Sequence, residues 1–69
     1  MNLTKLELDT AYLVRNGFTN EQIADRQGVS RWTVRNRLQK MYRKMGLDGK
    51  LSPRVDLAVW VVRNRDLFD

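Results

Sequence analysis

Neither cysteine nor histidine occurs among the 69 residues. The first absence excludes disulfides and thiolate-bound zinc; the two together remove the commonest general base, the thiol nucleophile and the usual transition-metal ligands. Eight carboxylates remain, but Glu7/Asp9 and Glu21/Asp25 stand at spacings expected on solvated helix faces. The sequence therefore predicts no enzymatic activity, no cofactor and no metal. Long apolar runs are also missing. The longest, Leu57 to Val62, is far short of the roughly 18 residues needed to cross a bilayer, and the N-terminus has no signal-peptide pattern. The lack of cysteine is compatible with a reducing cytosol, and a cytoplasmic location is expected. There is no alternating strand pattern and no low-complexity segment. A chain this short is at most one small domain, expected to take in residues 1–69, with a core that rarely contributes more than about 3–5 kcal/mol, so association with a partner would help it.

One more absence is local. From Ser30 to Lys44 the chain carries six cationic residues (Arg31, Arg35, Arg37, Lys40, Arg43 and Lys44) and no acid. Elsewhere seven bases stand against eight acids, so the net charge of +5 comes entirely from this window. Such a surplus favours a polyanionic partner, either nucleic acid or an acidic membrane surface.

Helical signals recur four times, predicting helices over about 5–16, 20–27, 31–45 and 53–65. Thr4 and Glu7 have the capping-box spacing, and Thr19 and Gln22 repeat it. Gly17 stops the first helix and Gly28 the second, where a tight turn needs positive φ. Ser30 caps the third helix, Gly46 halts it, and Ser52-Pro53 opens the fourth with a capping hydroxyl and a first-turn proline. Two short helices joined by a glycine turn, the second one cationic, predict a helix-turn-helix. Ile23 and Ala24 face inward, Ala24 small because the next helix crosses close to it, and Val29 and Val34 pack the pair together. The fold class expected is all-α: a tri-helical core plus a C-terminal fourth helix.

Val34, Leu38, Met41 and Met45 follow the i, i+4, i+7, i+11 rhythm of one apolar stripe. Burying it turns Arg35, Asn36, Gln39 and Arg43 outward, sets Arg31 and Trp32 at the N-terminal tip, and leaves Arg37, Lys40 and Lys44 at the edges. Solvated helices usually interleave acids with bases. Here the cations repel one another until an anion arrives. A membrane-lying helix would show large apolar groups beside its lysines, but this stripe is needed for the core. Duplex DNA fits better than RNA or membrane, since arginine reads guanine edges, Asn and Gln read adenine, and the other cations hold phosphates. The DNA-binding residues expected are Arg31, Trp32, Thr33, Arg35, Asn36, Arg37, Gln39, Lys40 and Arg43.

Those motifs resemble the DNA-binding domain of the LuxR/FixJ type, particularly its GerE-like members, from Leu3 to about Trp60. Leu3-Thr4-x-x-Glu7 resembles the entry to its first helix, and Gly17-x-Thr19-Asn20-x-x-Ile23-Ala24 is similar to its second-helix signature. Val29-Ser30-x-x-Thr33-Val34-Arg35-x-Arg37 resembles its recognition helix, with Arg for the usual Lys and Arg37 where His is common. Lys44-Met45-Gly46-Leu47 and Arg54-x-x-Leu57-Ala58 look like the close of the third helix and the start of the fourth. The resemblance implies a four-helix fold, the third helix in the major groove and frequent dimerisation through the fourth. It puts Arg35, Asn36 and Gln39 at positions that approach bases and Thr33 and Arg37 at positions near phosphates. Departures from the pattern are Leu6 for arginine, Thr10 and Ala11 for larger aliphatics, Arg15 at a small position, Gln27 for leucine before the turn, and a longer loop before Arg54. An unpaired buried Gln amide alone would cost about 1–3 kcal/mol, so these departures leave the packing around the first two helices open by about a few kcal/mol.

The fourth helix is apolar all round over Leu57–Val62, and a surface helix of a small domain can bury only one side. Either it self-associates, through Val55, Val59, Trp60, Val62 and Arg63, or the C-terminus folds back over it with Leu67 and Phe68. The expectation is a homodimeric transcriptional regulator of duplex DNA, nucleoid-associated if bacterial, or in the host cytoplasm if phage-encoded. Two alternatives stand beside it: a sigma-like or phage-type adaptor contacting RNA polymerase, and a module whose basic helix docks an acidic protein. Leu8 and Tyr12 on the first helix are the candidate protein-contact site. No membrane and no small-molecule ligand is expected; with no room for a sensing domain, a complete chain would be regulated through abundance or a partner.

Overall fold

The computed structural model describes residues 2–68. These form α1 (Lys5–Arg15), α2 (Asn20–Gln27), α3 (Arg31–Lys44) and α4 (Pro53–Arg63), followed by a 3-10 turn over Arg65–Leu67, with no strand among the described residues. The expected helices lie in place, each overlong only at its C-terminal end where it differs. Asn16 and Met45 are caps rather than helical residues, and α4 stops at Arg63.

The N-termini follow from short-range chemistry. Thr4 Oγ1 accepts from the Glu7 amide at 3.1 Å while Glu7 Oε1 accepts from the Thr4 amide at 2.8 Å. Thr19 and Gln22 repeat this at 3.1 and 2.9 Å, and Ser30 Oγ accepts from the Thr33 amide at 3.1 Å. Each bond satisfies an amide that the helix leaves without a partner. Ser52 departs from the expected cap. Its side chain makes no capping bond, because its ψ of 76° turns the hydroxyl away from the geometry that the other three caps share near 160°. Pro53 alone supplies the start there, lacking the amide that would need a cap.

Gly28 has φ +69°, and Val29 N–H donates to the Ala24 carbonyl at 3.0 Å across the turn. A left-handed residue at this point reverses the chain within three residues, which brings Ser30 and α3 across α2. Gly46 closes α3 in the same way, with φ +69° and a 2.8 Å bond from the Leu47 amide to the Tyr42 carbonyl.

All four helices contribute to one core. Ala11, Leu13 and Val14 of α1, Ile23 and Ala24 of α2, Val34, Leu38 and Met41 of α3, and Leu57 and Val61 of α4 are buried. Met45, at the end of the α3 stripe, is half-buried, as is Val29. α4 packs chiefly on α1, and α2 on α3. Tyr42, one step off the stripe, is also buried. Burial pushes its phenol above the usual tyrosine value, opposed by the charge and hydrogen bonding of Arg54. Arg54 itself ties α4 to the α1–α2 connection, donating through Nη1 to Asn20 Oδ1 and through Nη2 to the Phe18 carbonyl, both at 2.7 Å. The Arg26 guanidinium lies 5.3 Å from the Phe18 ring centre.

The outside of α4 is divided. Phe68 stacks on Tyr12 at 5.9 Å and meets Trp60 edge-on at 6.1 Å, so the C-terminus does fold back. Leu67 borders the same side, near Trp60 and Leu8, but is largely exposed. Trp60, expected in the self-association surface, is half-buried under Phe68 and against the core. Val55, Val59 and Val62 remain 58%, 43% and 51% exposed along one face, with Arg63 beside them.

Candidate nucleic-acid interface

Burial of Val34, Leu38, Met41 and Tyr42 decides which way the rest of α3 points. Arg31, Trp32, Arg35, Asn36, Gln39, Lys40 and Arg43 are exposed, and Thr33 and Arg37 are half-buried at the edge. Trp32, at the N-terminal tip, is 71% exposed. Arg35 and Gln39 also line a groove of about 340 Å³ between α3 and the loop before α4, opposite the fully exposed Leu51. All nine residues expected to contact DNA thus lie on the outer side or the margin of one helix.

The six cations of that helix are not equivalent, contrary to the expectation of uniformly unpaired charge. Lys44 Nζ sits 2.7 Å from Glu7 Oε1 and donates to the Asn2 carbonyl at 3.3 Å. Glu7, expected on a solvated face, is only 6% exposed. Burial works to raise its pKa, but the bonds from Lys44 and from the Thr4 amide and hydroxyl outweigh that and hold it below the ordinary glutamate value. Arg31 Nη1 is 3.8 Å from Glu21 Oε2, a loose pair with both side chains in water. Arg37 Nη1 donates to Gln27 Oε1. Arg35, Lys40 and Arg43 make no hydrogen bond or ion pair with the described residues. They form the open cationic face.

Gln27 settles the packing that the sequence left open. Its amide is not unpaired: Nε2 donates to Thr10 Oγ1 at 3.0 Å and Asp9 Oδ2 at 3.2 Å, and Oε1 accepts from Arg37. No buried side-chain nitrogen or oxygen lacks a partner among the described residues. The two departures Thr10 and Gln27 therefore compensate each other, since a hydroxyl where an aliphatic is usual gives the amide its acceptor. Sequence spacing offered no signal for this contact, nor for Lys44–Glu7, because Glu7 already had a role in its capping box.

No group of three or more His, Cys, Asp or Glu residues that could hold a metal ion occurs among the described residues, and no helix there is long and apolar enough to cross a membrane. On α1, Tyr12 is exposed but occupied on one side by Phe68, and Leu8 is half-buried.

The sequence is similar to those of known regulatory proteins. The chain is 40% identical over 63 residues to the probable transcriptional regulatory protein SgaR of Hyphomicrobium methylovorum, covering 91% of this chain and 29% of that protein. It is 38% identical, also over 63 residues, to the nitrate/nitrite response regulator protein NarL of Escherichia coli K12, covering 91% of this chain and 27% of that one. The chain thus spans under a third of the length of the curated relatives it matches. No solved structure matches. The family model described as "Bacterial regulatory proteins, luxR family" matches residues 1–61, which takes in the capped α1, the helix-turn-helix and most of α4. With its cationic α3 turned outward by the buried valine–leucine–methionine seam, the chain belongs to the luxR family of bacterial regulatory proteins.

Proposed function

We propose that this chain is a sequence-specific duplex-DNA-binding transcriptional regulator that lays α3 in the major groove and acts as a homodimer through α4, in the bacterial cytoplasm at the nucleoid. The open face of α3 carries the reading: Arg35, Lys40 and Arg43 are exposed with no partner among the described residues, beside the amides of Asn36 and Gln39. A helix of this width fits the major groove, where Arg35 is suited to guanine and Asn36 and Gln39 to adenine. Arg31, Arg37, Lys40 and Arg43 are suited to phosphates, with Thr33 at the backbone edge and Trp32 at the leading tip. The exposed Val55, Val59 and Val62 support pairing of two α4 helices, which would set two α3 helices on half-sites about one DNA turn apart.

Fluorescence anisotropy on a labelled duplex over a salt series tests this. With Arg31, Arg37, Lys40 and Arg43 each neutralising a phosphate, the log–log slope is expected at about −3.6 per half-site. Binding that does not depend on salt, or no binding to duplex at all, would rule the reading out. Selection of bound sites from a random pool then reports the half-site and its symmetry. The competing reading, an acidic protein as the partner of α3, predicts retention of that partner in competition with excess duplex.

A further inference from the structure

Thr10, Gln27 and Arg37 belong to three different helices and meet at one place, and the hydrogen bonds there can run in only one direction. Thr10 is fully buried, and its hydroxyl donates to the Leu6 carbonyl at 2.9 Å. With its proton so placed, the oxygen can only accept from elsewhere, and it accepts from Gln27 Nε2. Asp9 Oδ2 accepts from the same nitrogen. Two acceptors on α1 thus hold the amide nitrogen toward α1, so the carbonyl oxygen must face α3. There it receives the Arg37 guanidinium. The flipped amide would set an NH2 group against the guanidinium and a carbonyl against the carboxylate of Asp9, losing the amide's bonds to Asp9, Thr10 and Arg37.

We infer that Gln27 is a positioning residue: oriented by Thr10 and Asp9, it holds the Arg37 guanidinium at the edge of the outward face of α3, ready for a DNA phosphate. The inference rests on the DNA-facing reading of α3. A guanidinium has five N–H donors, and Gln27 Oε1 engages Nη1, so others stay available to an anion. Arg37 is half-exposed, which leaves it reachable. An arginine already tethered in its bound rotamer loses less freedom when DNA arrives, and for one long side chain that advantage is about three- to tenfold in affinity.

The experiment is a double-mutant cycle on the full chain, read by anisotropy with a labelled mixed-sequence duplex at several salt concentrations. Circular dichroism supplies the folded fraction, so affinities refer to folded protein. Gln27→Leu should weaken binding about three- to tenfold. Arg37→Ala should also weaken it and make the salt slope shallower by about 0.9. In the Arg37→Ala background, Gln27→Leu should have no further effect. A merely structural Gln27 would change the folded fraction and leave the affinity of folded protein alone. Thr10→Val, near-isosteric and lacking the anchoring hydroxyl, should shift affinity in the same direction and carries the test if Gln27→Leu does not fold. Unchanged affinity in these variants, or an equal loss with and without Arg37, overturns the positioning role while duplex binding by the wild type stands. Failure of the wild type to bind duplex overturns the DNA reading and this inference with it.

Discussion

Glu7 carries two duties, closing the capping box of α1 and receiving Lys44 from the far end of α3. Its pKa, pushed up by burial but brought lower overall by Lys44 and Thr4, links this pair to acid stability. A depressed folded value means that the stabilisation is complete above the unfolded value of about 4.3 and disappears as pH falls through the lower folded one. Glu7→Gln, which retains an acceptor but no charge, should cost about 1–2 kcal/mol at neutral pH and flatten the acid limb of the stability curve. Urea midpoints measured from neutral pH to below pH 3 check both effects; parallel acid limbs for the two proteins would exclude Glu7 as the linked group. On the outer side of α3 the side chains should separate by role. Arg35→Ala should lose about tenfold or more of the preference at one base position, whereas Lys40→Ala should weaken all sequences alike. Competition between a selected site and single-base variants of it distinguishes the two, and a uniform loss for Arg35→Ala would remove it from base reading.

At the scale of the elements, the connections matter as much as the helices. At Gly28, an added Cβ would meet nothing within 4 Å, so Gly28→Ala has no steric clash and only the left-handed backbone to oppose it. The expected cost is about 1–2 kcal/mol, measurable as a lowered urea midpoint with unchanged m-value. No loss of stability would mean that the turn can be made with negative φ. Arg54→Ala should be at least as damaging, since two 2.7 Å bonds that fasten the start of α4 to Asn20 and Phe18 vanish together. These two connections differ in how readable they were. Thr4, Thr19, Ser30 and Gly28 act on amides and carbonyls within a few residues, so spacing alone announced them. Arg54 reaches back 34 residues to Asn20, and its role depends on how α4 crosses the α1–α2 connection. Ser52 fits the local rule by residue type but fails it by backbone angle, which a sequence does not disclose.

For the whole molecule, the open question of α4 resolves into two halves of one helix surface. Phe68 shields the Trp60 side, while Val55, Val59 and Val62 stay in water, so the fold-back and the exposed stripe coexist. A stripe of this kind is the surface that the proposed dimer would bury. Sedimentation at micromolar concentration should give a dimer for the wild type and a monomer for Val59→Glu, both with full helical content. Val59 is the position to alter, because Trp60→Glu would also disturb the Phe68 contact and the core. Identical monomer masses for both proteins would discard the homodimer and leave α3 to bind single half-sites.

The amino-acid sequence by itself determined where the helices start, which stripe of α3 is apolar and therefore which residues of that helix face out. Those properties arise from bonds and periodicities within about four residues, so they are written in consecutive letters. Only the tertiary structure decided which cations of α3 are still free, whether Gln27 is an orphan, and what covers Trp60. Lys44 finds Glu7 across 37 positions and Gln27 finds Thr10 across 17, partners that no spacing rule connects. Such pairs exist because packing of the shared core brings distant surfaces together, and they divide a uniformly basic helix into anchored edges and an open centre.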